Sequence, residues 1–565
     1  MNKPKRDNAL NGMVGKYICQ NGSVQFDQGK DQYLPVMIGA AYVDGFVSDP
    51  VTKTTSCVIA ITPGIALMQP CMVRVDTAIL LNAKSLCEVL TERGIVVSNA
   101  NHASKYMVAS AAEAMKVGLR ELVKKPGWIA NGRAFFTGSK LIASSEIDAD
   151  TFWLECSDIG VMRSRGDLDT CKEQIGNLIV ENPIMLFTVC LGMASPLLGH
   201  LGLSSSMFNL VGEKGCGKTT ALQVAASVFG NAVDPAQGAH AQDPAYIARF
   251  HGTVNGYEPI LGEYSPLPVL LDELTEANAP VLYQLCYMMA SGVGKLRQLP
   301  NGKAAFRERW QSNIITSAEV TISGTIAASG KQMHGGQADR AIDIPITEVG
   351  VLNCYAPFGS FDAATSHLKR ACSEQYGTAG EAIIQYCCDD PETVSDLLAM
   401  AEDIENDLLP AGCGAGERRV VKRLASAVVA GRLAVMAGVF DEDAVDKINA
   451  AVQLVTDLWW GARAGALARV RRFLDEHAEE IEDGKPDPDT EAIAFRGDKY
   501  VVFPLHVFAR EFGDDATRML NELKGLNVLK QEQEGRHPSR FCNGRFRGYA
   551  LLRKRIWPDE ERLAA

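Results

Sequence analysis

The sequence has no CxxC pair and no Cys/His spacing suited to zinc, although it carries 15 cysteines in 565 residues. Apart from the neighbours Cys387 and Cys388 they are scattered singly. That excludes a disulfide framework or a structural zinc module and predicts reduced cysteines used in packing. Positive charge is not in excess either: 56 Lys and Arg face 68 Asp and Glu, a formal net charge of −12. A chain that coats a polyanion over its whole surface is excluded, so any such contact must come from local basic patches. An unbroken membrane-length apolar run is also lacking. The nearest approach, Pro183 to Leu203, is interrupted by Pro196, His200 and several glycines, which predicts a buried helix pair and no membrane contact. The first residues, "MNKPKRDNALNGMVG", have no apolar segment behind their basic groups, which predicts no secretory signal and a cytoplasmic chain. No internal repeat or low-complexity tail is visible.

What is present is core-forming: 47% of the residues are hydrophobic, and the length predicts three or four domains. Residues 1–165 mix short apolar runs with turn clusters and one helical stretch, which predicts an amino-terminal α/β module. Residues 166–350 carry a strand, a glycine loop and a helix and read as a nucleotide-binding core. Residues 351–482 are helical in period. The acidic, proline-bearing "EDGKPDPDTEA" reads as a linker before a last module, 483–565.

The chemistry starts at "GEKGCGKT", which fits G-x-x-x-x-G-K-[ST] completely. In this pattern glycines let the backbone curl so that its N–H groups face phosphates, and the following helix presents its positive end. Gly212, Glu213, Lys214, Gly215, Cys216, Gly217, Lys218, Thr219 and Thr220 are the expected ATP-binding residues. Lys218 would neutralise the β and γ oxygens, and Thr219 would offer its hydroxyl to Mg²⁺. About fifty residues on, "PVLLDE" ends an apolar strand in two carboxylates. Asp272 is the expected second Mg²⁺ ligand and Glu273 the expected general base for an attacking water, unless Glu273 only caps the next helix. In "NIITSAE", Thr316 or Ser317 would sense the γ-phosphate, or would only close the strand end. Arg340, just before the "AIDIPI" strand, is the expected arginine finger for a neighbouring subunit, unless it pairs with Asp339 or Asp343.

Between the carboxylates and the sensor strand lies "GKLRQLPNGKAAFRERW", with five cationic residues in a short segment of an acidic chain. Pro300, Asn301 and Gly302 suit a three-residue hairpin loop. The register then sets Leu299 opposite Lys303, Arg297 opposite Ala305 and Lys295 opposite Arg307 on one side, with Leu296 and Phe306 on the other. Lys295 beside Arg307 should repel by about 1 kcal/mol or less, a cost relieved by a phosphate backbone between them. Lys295, Arg297, Lys303 and Arg307 are therefore the expected DNA contacts, with a merely solvated outer face as the alternative.

The loop, "HGTVNGYE", "VLLDE", "GVGKLRQ" and "GGQADRAIDIPI", in this order, resemble the "domain of unknown function 927" family of phages and mobile elements. The likeness extends upstream to "KKPGW" and covers most of residues 30–475. It implies an α/β P-loop NTPase core of the AAA+ or superfamily 3 helicase sort. It also implies a homo-oligomeric, hexameric ring whose hairpin walks along one DNA strand during replication of a phage or mobile element, beside replication partners. Those helicases usually carry an asparagine near the sensor strand's end, where this chain has Ala318.

From Lys524 to Arg555 nine Lys and Arg face two Glu, in a helix, strand and basic-loop order that looks like a winged helix able to meet duplex DNA or a protein. Phe541, Phe546 and Tyr549 are expected in its core. The functional expectation is an ATP-driven DNA helicase or translocase. The alternatives are an AAA+ loader or switch that remodels a partner without unwinding, and a nucleotide-regulated DNA-binding protein.

Overall fold

The computed structural model describes residues 12–557, except 21, 66–67, 157–161, 235–243, 251, 275–278, 299–306, 329–338, 411–412, 414, 464–465, 514–515, 526–527, 531–538 and 543–544. The chain forms two units, Met1–Val455 and Thr456–Ala565, and is a mixed α/β protein with several separate sheets.

The first unit opens with a nine-stranded sheet built on one long strand, Gln32–Ser48. That strand pairs antiparallel with Ser23–Gly29 and Thr55–Pro63, and parallel with Leu119–Val123. The helices Ala83–Glu92 and Ala100–Ala114, each started by an asparagine side chain accepting a backbone N–H, cover one face. Leu86, Leu90, Tyr106 and Met107 meet Val36, Val43 and Ile59 there. The register shifts between Val43 and Gly45, so Asp44 is the extra residue of a bulge. Asp44 is buried, and Arg120 Nη2 donates to its Oδ2 at 2.8 Å, both side chains being 3% exposed or less. A small three-stranded sheet follows, and its Trp128 Nε1–H donates to the Pro196 carbonyl at 2.7 Å.

Pro196 interrupts the apolar run singled out in the sequence, and the second helix of the expected pair does not form. The run forms an eleven-residue helix, Pro183–Met193 (α1), and then a single 3-10 turn, Ser195–Leu197. Everything from Ile184 to Met193 is buried, as a helix hydrophobic on all sides requires. Among the described residues no helix is long and apolar enough to cross a membrane.

Beside α1 lies a five-stranded, wholly parallel sheet. Its strands are Ser206–Val211 (β1), Ala248–Arg249 (β2), Val269–Asp272 (β3), Asn313–Ala318 (β4) and Ala341–Pro345 (β5), in the spatial order β2-β3-β4-β1-β5. Burial on both faces explains why "FNLV", "VLLD" and "NIIT" read as continuous apolar runs without alternation. Helix Lys218–Ser227 (α2) follows β1, Val254–Tyr264 (α3) precedes β3, and Ala279–Ser291 (α4) follows it. Downstream, the long helix Ala415–Met436 (α5) crosses α1 at Gly431, where an added Cβ would sit 3.1 Å from Cys190 Sγ.

The second unit holds a five-stranded sheet with Ile481–Asp483 at one edge and the antiparallel pair Ser539–Phe541 and Phe546–Leu552 at the other. The expected boundary at 482/483 falls inside this unit. Ile481–Asp483 pairs with Ala494–Arg496, so the acidic stretch connects two strands of one sheet, and Val470, Phe473 and Leu474 already belong to its core. Phe541, Phe546 and Tyr549 are half-buried and pack on aromatic neighbours, as with Phe546 edge-on to Phe495 at 5.5 Å.

Asp44→Ala would leave the Arg120 guanidinium buried without its carboxylate, which costs about 3–5 kcal/mol for a broken buried pair. The expected result is a lower denaturation midpoint for the first unit, read by urea titration.

Candidate functional site

The glycine loop lies between the end of β1 and the start of α2. Gly215 and Gly217 have φ of +86° and +91°, a conformation other residues adopt with strain. A side chain at Gly217 would also meet Val351 Cγ2 at 2.5 Å and Phe361 Cζ at 3.0 Å. The Val351 N–H donates to the Cys216 carbonyl at 2.9 Å and fixes the loop from outside. Lys218 Nζ folds over the loop and donates to the Gly212 and Glu213 carbonyls, both at 2.7 Å. Thr219 is half-buried at the same end of the helix, whereas Thr220 is buried. A cradle closed by glycines, an ammonium resting on exchangeable carbonyls and the unpaired N–H groups of a helix start together suit a polyphosphate.

β3 and β4 are hydrogen-bonded neighbours, with Leu271 level with Thr316. This brings Asp272, Glu273 and Ser317 together. Ser317 Oγ–H donates to Asp272 Oδ1, and the Glu273 N–H donates to Ser317 Oγ at 3.3 Å. Glu273 is exposed and has a φ of +62°, a left-handed conformation costing about 1–3 kcal/mol for a residue of this type. Strain of that size at the last carboxylate of a strand marks a position whose backbone is set by its neighbours. The Gly212 N–H donates to the Ala318 carbonyl at 3.3 Å, so the glycine loop starts beside Ser317 at the same edge of the sheet.

Of the two expected sensors, only Ser317 reaches the carboxylates. Thr316 points to the other face, where its Oγ1–H donates to Asn209 Oδ1 at 3.1 Å. Asn209 in turn donates to Asp343 Oδ1 at 2.8 Å, and the Ile322 N–H donates to the same oxygen at 3.0 Å.

Arg340 lies at the opposite end of the sheet. Ala341 is level with Met207, so Arg340 precedes β5 at the strands' amino-terminal edge, with its side chain exposed. The six residues of β1 span about 20 Å between that edge and the glycine loop. The two aspartates weighed as its partners are engaged elsewhere: Arg419 Nη1 donates to Asp339 Oδ2 at 3.3 Å, and Asp343 takes Asn209 and Ile322. Behind them Arg423 is buried, donating to Ser206 Oγ and, at 3.0 Å, to Ser204 Oγ. Its pKa is lowered to about 10, first by burial and then by the Arg340 charge.

Leu299–Phe306, and with them Lys303 and the turn, lie outside the described residues. The base of the ribbon is described. Val293 bridges antiparallel to Arg309, and the Gly294 N–H donates to the Glu308 carbonyl at 2.9 Å. Continued by two residues, this register sets Lys295 opposite Arg307. Arg307 Nε–H reaches back to the Gly294 carbonyl. Arg297 makes a two-pronged contact with Glu258 on α3, Nη1 to Oε2 at 2.7 Å and Nη2 to Oε1 at 3.0 Å. Glu308 pairs with Lys125 of the amino-terminal module. Neither Glu258 nor Lys125 was singled out by sequence as functional. Their signal was only positional, in the stretches "HGTVNGYE" and "KKPGW".

Residues 72–309 match the family model described as Domain of unknown function (DUF927). The matched span includes the glycine loop, Asp272–Glu273 and the hairpin base, and stops short of β4 and Arg340. No curated protein matches the chain. The solved structure described as "SCCmec type IV Cch - active helicase" resembles the chain with a TM-score of 0.59 at 16% identity, covering 96% of this chain and 97% of the other. At that identity the likeness is one of fold, and it runs through almost the whole of both chains.

Burial pushes the Asp343 carboxyl from its ordinary 3.8 up to about 6, against the hydrogen bonds from Ile322 and Asn209 that pull it down. The folded state thus holds this proton more tightly than the unfolded chain. The stability it contributes is complete below about pH 4 and is lost as the pH climbs to about 6. Asp343→Asn should remove that part of the profile, so that the gap in denaturation midpoint between wild type and variant shifts from pH 4 to 6 and is level above 7.

Proposed function

We propose that the chain is an ATP-hydrolysing DNA helicase or translocase that acts as a ring on the DNA of a phage or mobile element. The observation that carries this reading is the parallel sheet in the order β2-β3-β4-β1-β5. It gathers Lys218, Asp272, Glu273 and Ser317 at one edge and carries the base of the basic hairpin in the connection from β3 to β4. The fold shared with a structure described as an active helicase supports the same reading.

In this reading the first unit holds a P-loop ATPase core of the AAA+ or superfamily 3 sort. Lys218 would exchange its two loop carbonyls for the phosphate oxygens of ATP, and Thr219 and Asp272 would hold Mg²⁺. Bound ATP supplies the cleavable phosphoanhydride, and the metal offsets its charge. Ser317 keeps Asp272 and the Glu273 backbone in register, and the strained Glu273 presents its carboxylate as the base that orients a water. Arg340 lies about 20 Å from its own loop by strand rise and so would serve a neighbouring copy's nucleotide, which makes oligomerisation part of catalysis. Lys295, Lys303 and Arg307 would meet the phosphates of one DNA strand. The second unit is read as a winged-helix-like module whose basic edge pair, with Arg540, Arg545 and Arg547, meets duplex DNA.

A loader or switch would hydrolyse ATP without separating strands, and a forked duplex distinguishes the two. The expected result is ATP-dependent unwinding by the wild type and none by Glu273→Gln, which should still bind ATP. Binding and hydrolysis with no strand separation would favour the loader.

The shared site gives a second test. Lys218→Ala and Arg340→Ala should each lower hydrolysis by about 10³-fold or more, yet a mixture of the two should regain activity, because an intact loop then meets an intact arginine across an interface. An Arg340→Ala variant with unchanged hydrolysis would place Arg340 outside the reaction, and two inactive variants that stay inactive on mixing would argue against its acting across an interface.

A further inference from the structure

The cationic side of the hairpin is not uniformly available to a ligand. Glu258 lies on the first turns of α3 with a side chain only 2% exposed, yet both its oxygens are committed to the hairpin. Oε2 accepts from Arg297 Nη1 at 2.7 Å, and Oε1 accepts from Arg297 Nη2 at 3.0 Å and from the Lys295 N–H at 3.2 Å. One turn back on the helix Asn255 Oδ1, on the surface, accepts from Lys295 Nζ at 3.2 Å. Arg297 itself is 46% exposed, so its outer face remains open to solvent while its donors point inward. A planar guanidinium held by two parallel bonds can be taken over by another bidentate anion, and phosphate has that geometry.

The surroundings make this exchange specific to Arg297. On the other strand of the ribbon Glu308 is tied to Lys125, and backbone bonds join Gly294 to Glu308 and Trp310 to Gly292. The base is therefore fixed, and Arg297 is a side chain that can leave without unzipping it. Gly294 is the close neighbour that permits the contact: a Cβ there would lie 2.8 Å from Glu258 Oε2. α3 is linked to Asp272 through Phe250, whose N–H donates to the Asp272 carbonyl at 2.8 Å and whose ring packs on Tyr257 of α3 at 5.3 Å.

We infer that Glu258 is a positioning residue that latches the hairpin by occupying Arg297, and that the phosphate backbone of single-stranded DNA competes with its carboxylate for that guanidinium. The inference rests on the reading of the hairpin as a DNA contact. The latch keeps Arg297 from binding every passing anion, and it links release of the Arg297 side chain to α3, whose Tyr257 packs on Phe250 beside Asp272.

The test uses the full chain and a fluorescent oligothymidine, with affinity followed by anisotropy across a salt series. Glu258→Gln removes the competing charge and keeps the shape. It should bind about three- to tenfold more tightly at low salt, with a salt slope steeper by about 0.7 for one added phosphate contact on a single strand. The double variant Glu258→Gln/Arg297→Gln should lose that gain. Asn255→Asp, a surface change that folds whether or not the buried one does, should tether Lys295 and weaken binding. A folded Glu258→Gln that binds no more tightly, or an Asn255→Asp with unchanged affinity, overturns the latch while leaving the DNA reading standing. A wild type with no salt-dependent binding overturns the DNA reading itself.

Discussion

The contact on which the site depends is the hydroxyl of Ser317, which donates to Asp272 while accepting the backbone N–H of Glu273. It exists because β3 and β4 run parallel and adjacent, so that the last residue of one strand and the next-to-last of the other end at the same height. A parallel sheet buried on both faces leaves its chemistry to the carboxyl ends of the strands, and here that edge also receives the glycine loop through the Gly212–Ala318 bond. The strain at Glu273 follows from the same constraint. Its backbone turns left-handed directly after the strand, and the residue is exposed.

The same strand also reaches the hairpin. Residues 307–310 return the ribbon to the sheet only a few positions before β4 begins at Asn313, and Trp310 is anchored by its indole N–H on the Met289 carbonyl at 2.8 Å. A displacement at Ser317 therefore has a short covalent route to Arg309 and Glu308. A second route passes through α3, whose Glu258 holds Arg297 and whose Tyr257 packs on Phe250, the residue that donates its N–H to the Asp272 carbonyl. Both routes meet at the base of one ribbon, the arrangement the proposed motor would need if events at a bound phosphate are to move a contact on DNA. Lys125 brings the amino-terminal module into the same junction.

Much of this was legible in the residues. The loop pattern, the paired carboxylates after an apolar strand and the register at the hairpin base are local features, set by glycine conformations and strand length that a few neighbouring residues determine. The choice between Thr316 and Ser317 was not legible, because a strand buried on both faces gives no alternation from which to read direction. Glu258 escaped notice for a related reason. It is a carboxylate in a helix with nothing in its own segment to pair with, and its partner arrives from 39 positions away. The acidic, proline-bearing stretch reads as a linker from composition alone, whereas here it joins two strands of one sheet. The resemblance seen across residues 30–475 narrows to a family match over 72–309.

The most direct measurement is a structure of the full chain bound to a nonhydrolysable ATP analogue and a DNA fork. The account predicts a closed ring in which Lys218 has left the Gly212 and Glu213 carbonyls for the phosphates. Arg340 of each neighbouring copy should face the γ-phosphate, with one DNA strand passing the hairpins. A single copy binding the nucleotide with no second arginine near it, or DNA held away from the hairpin, would contradict it.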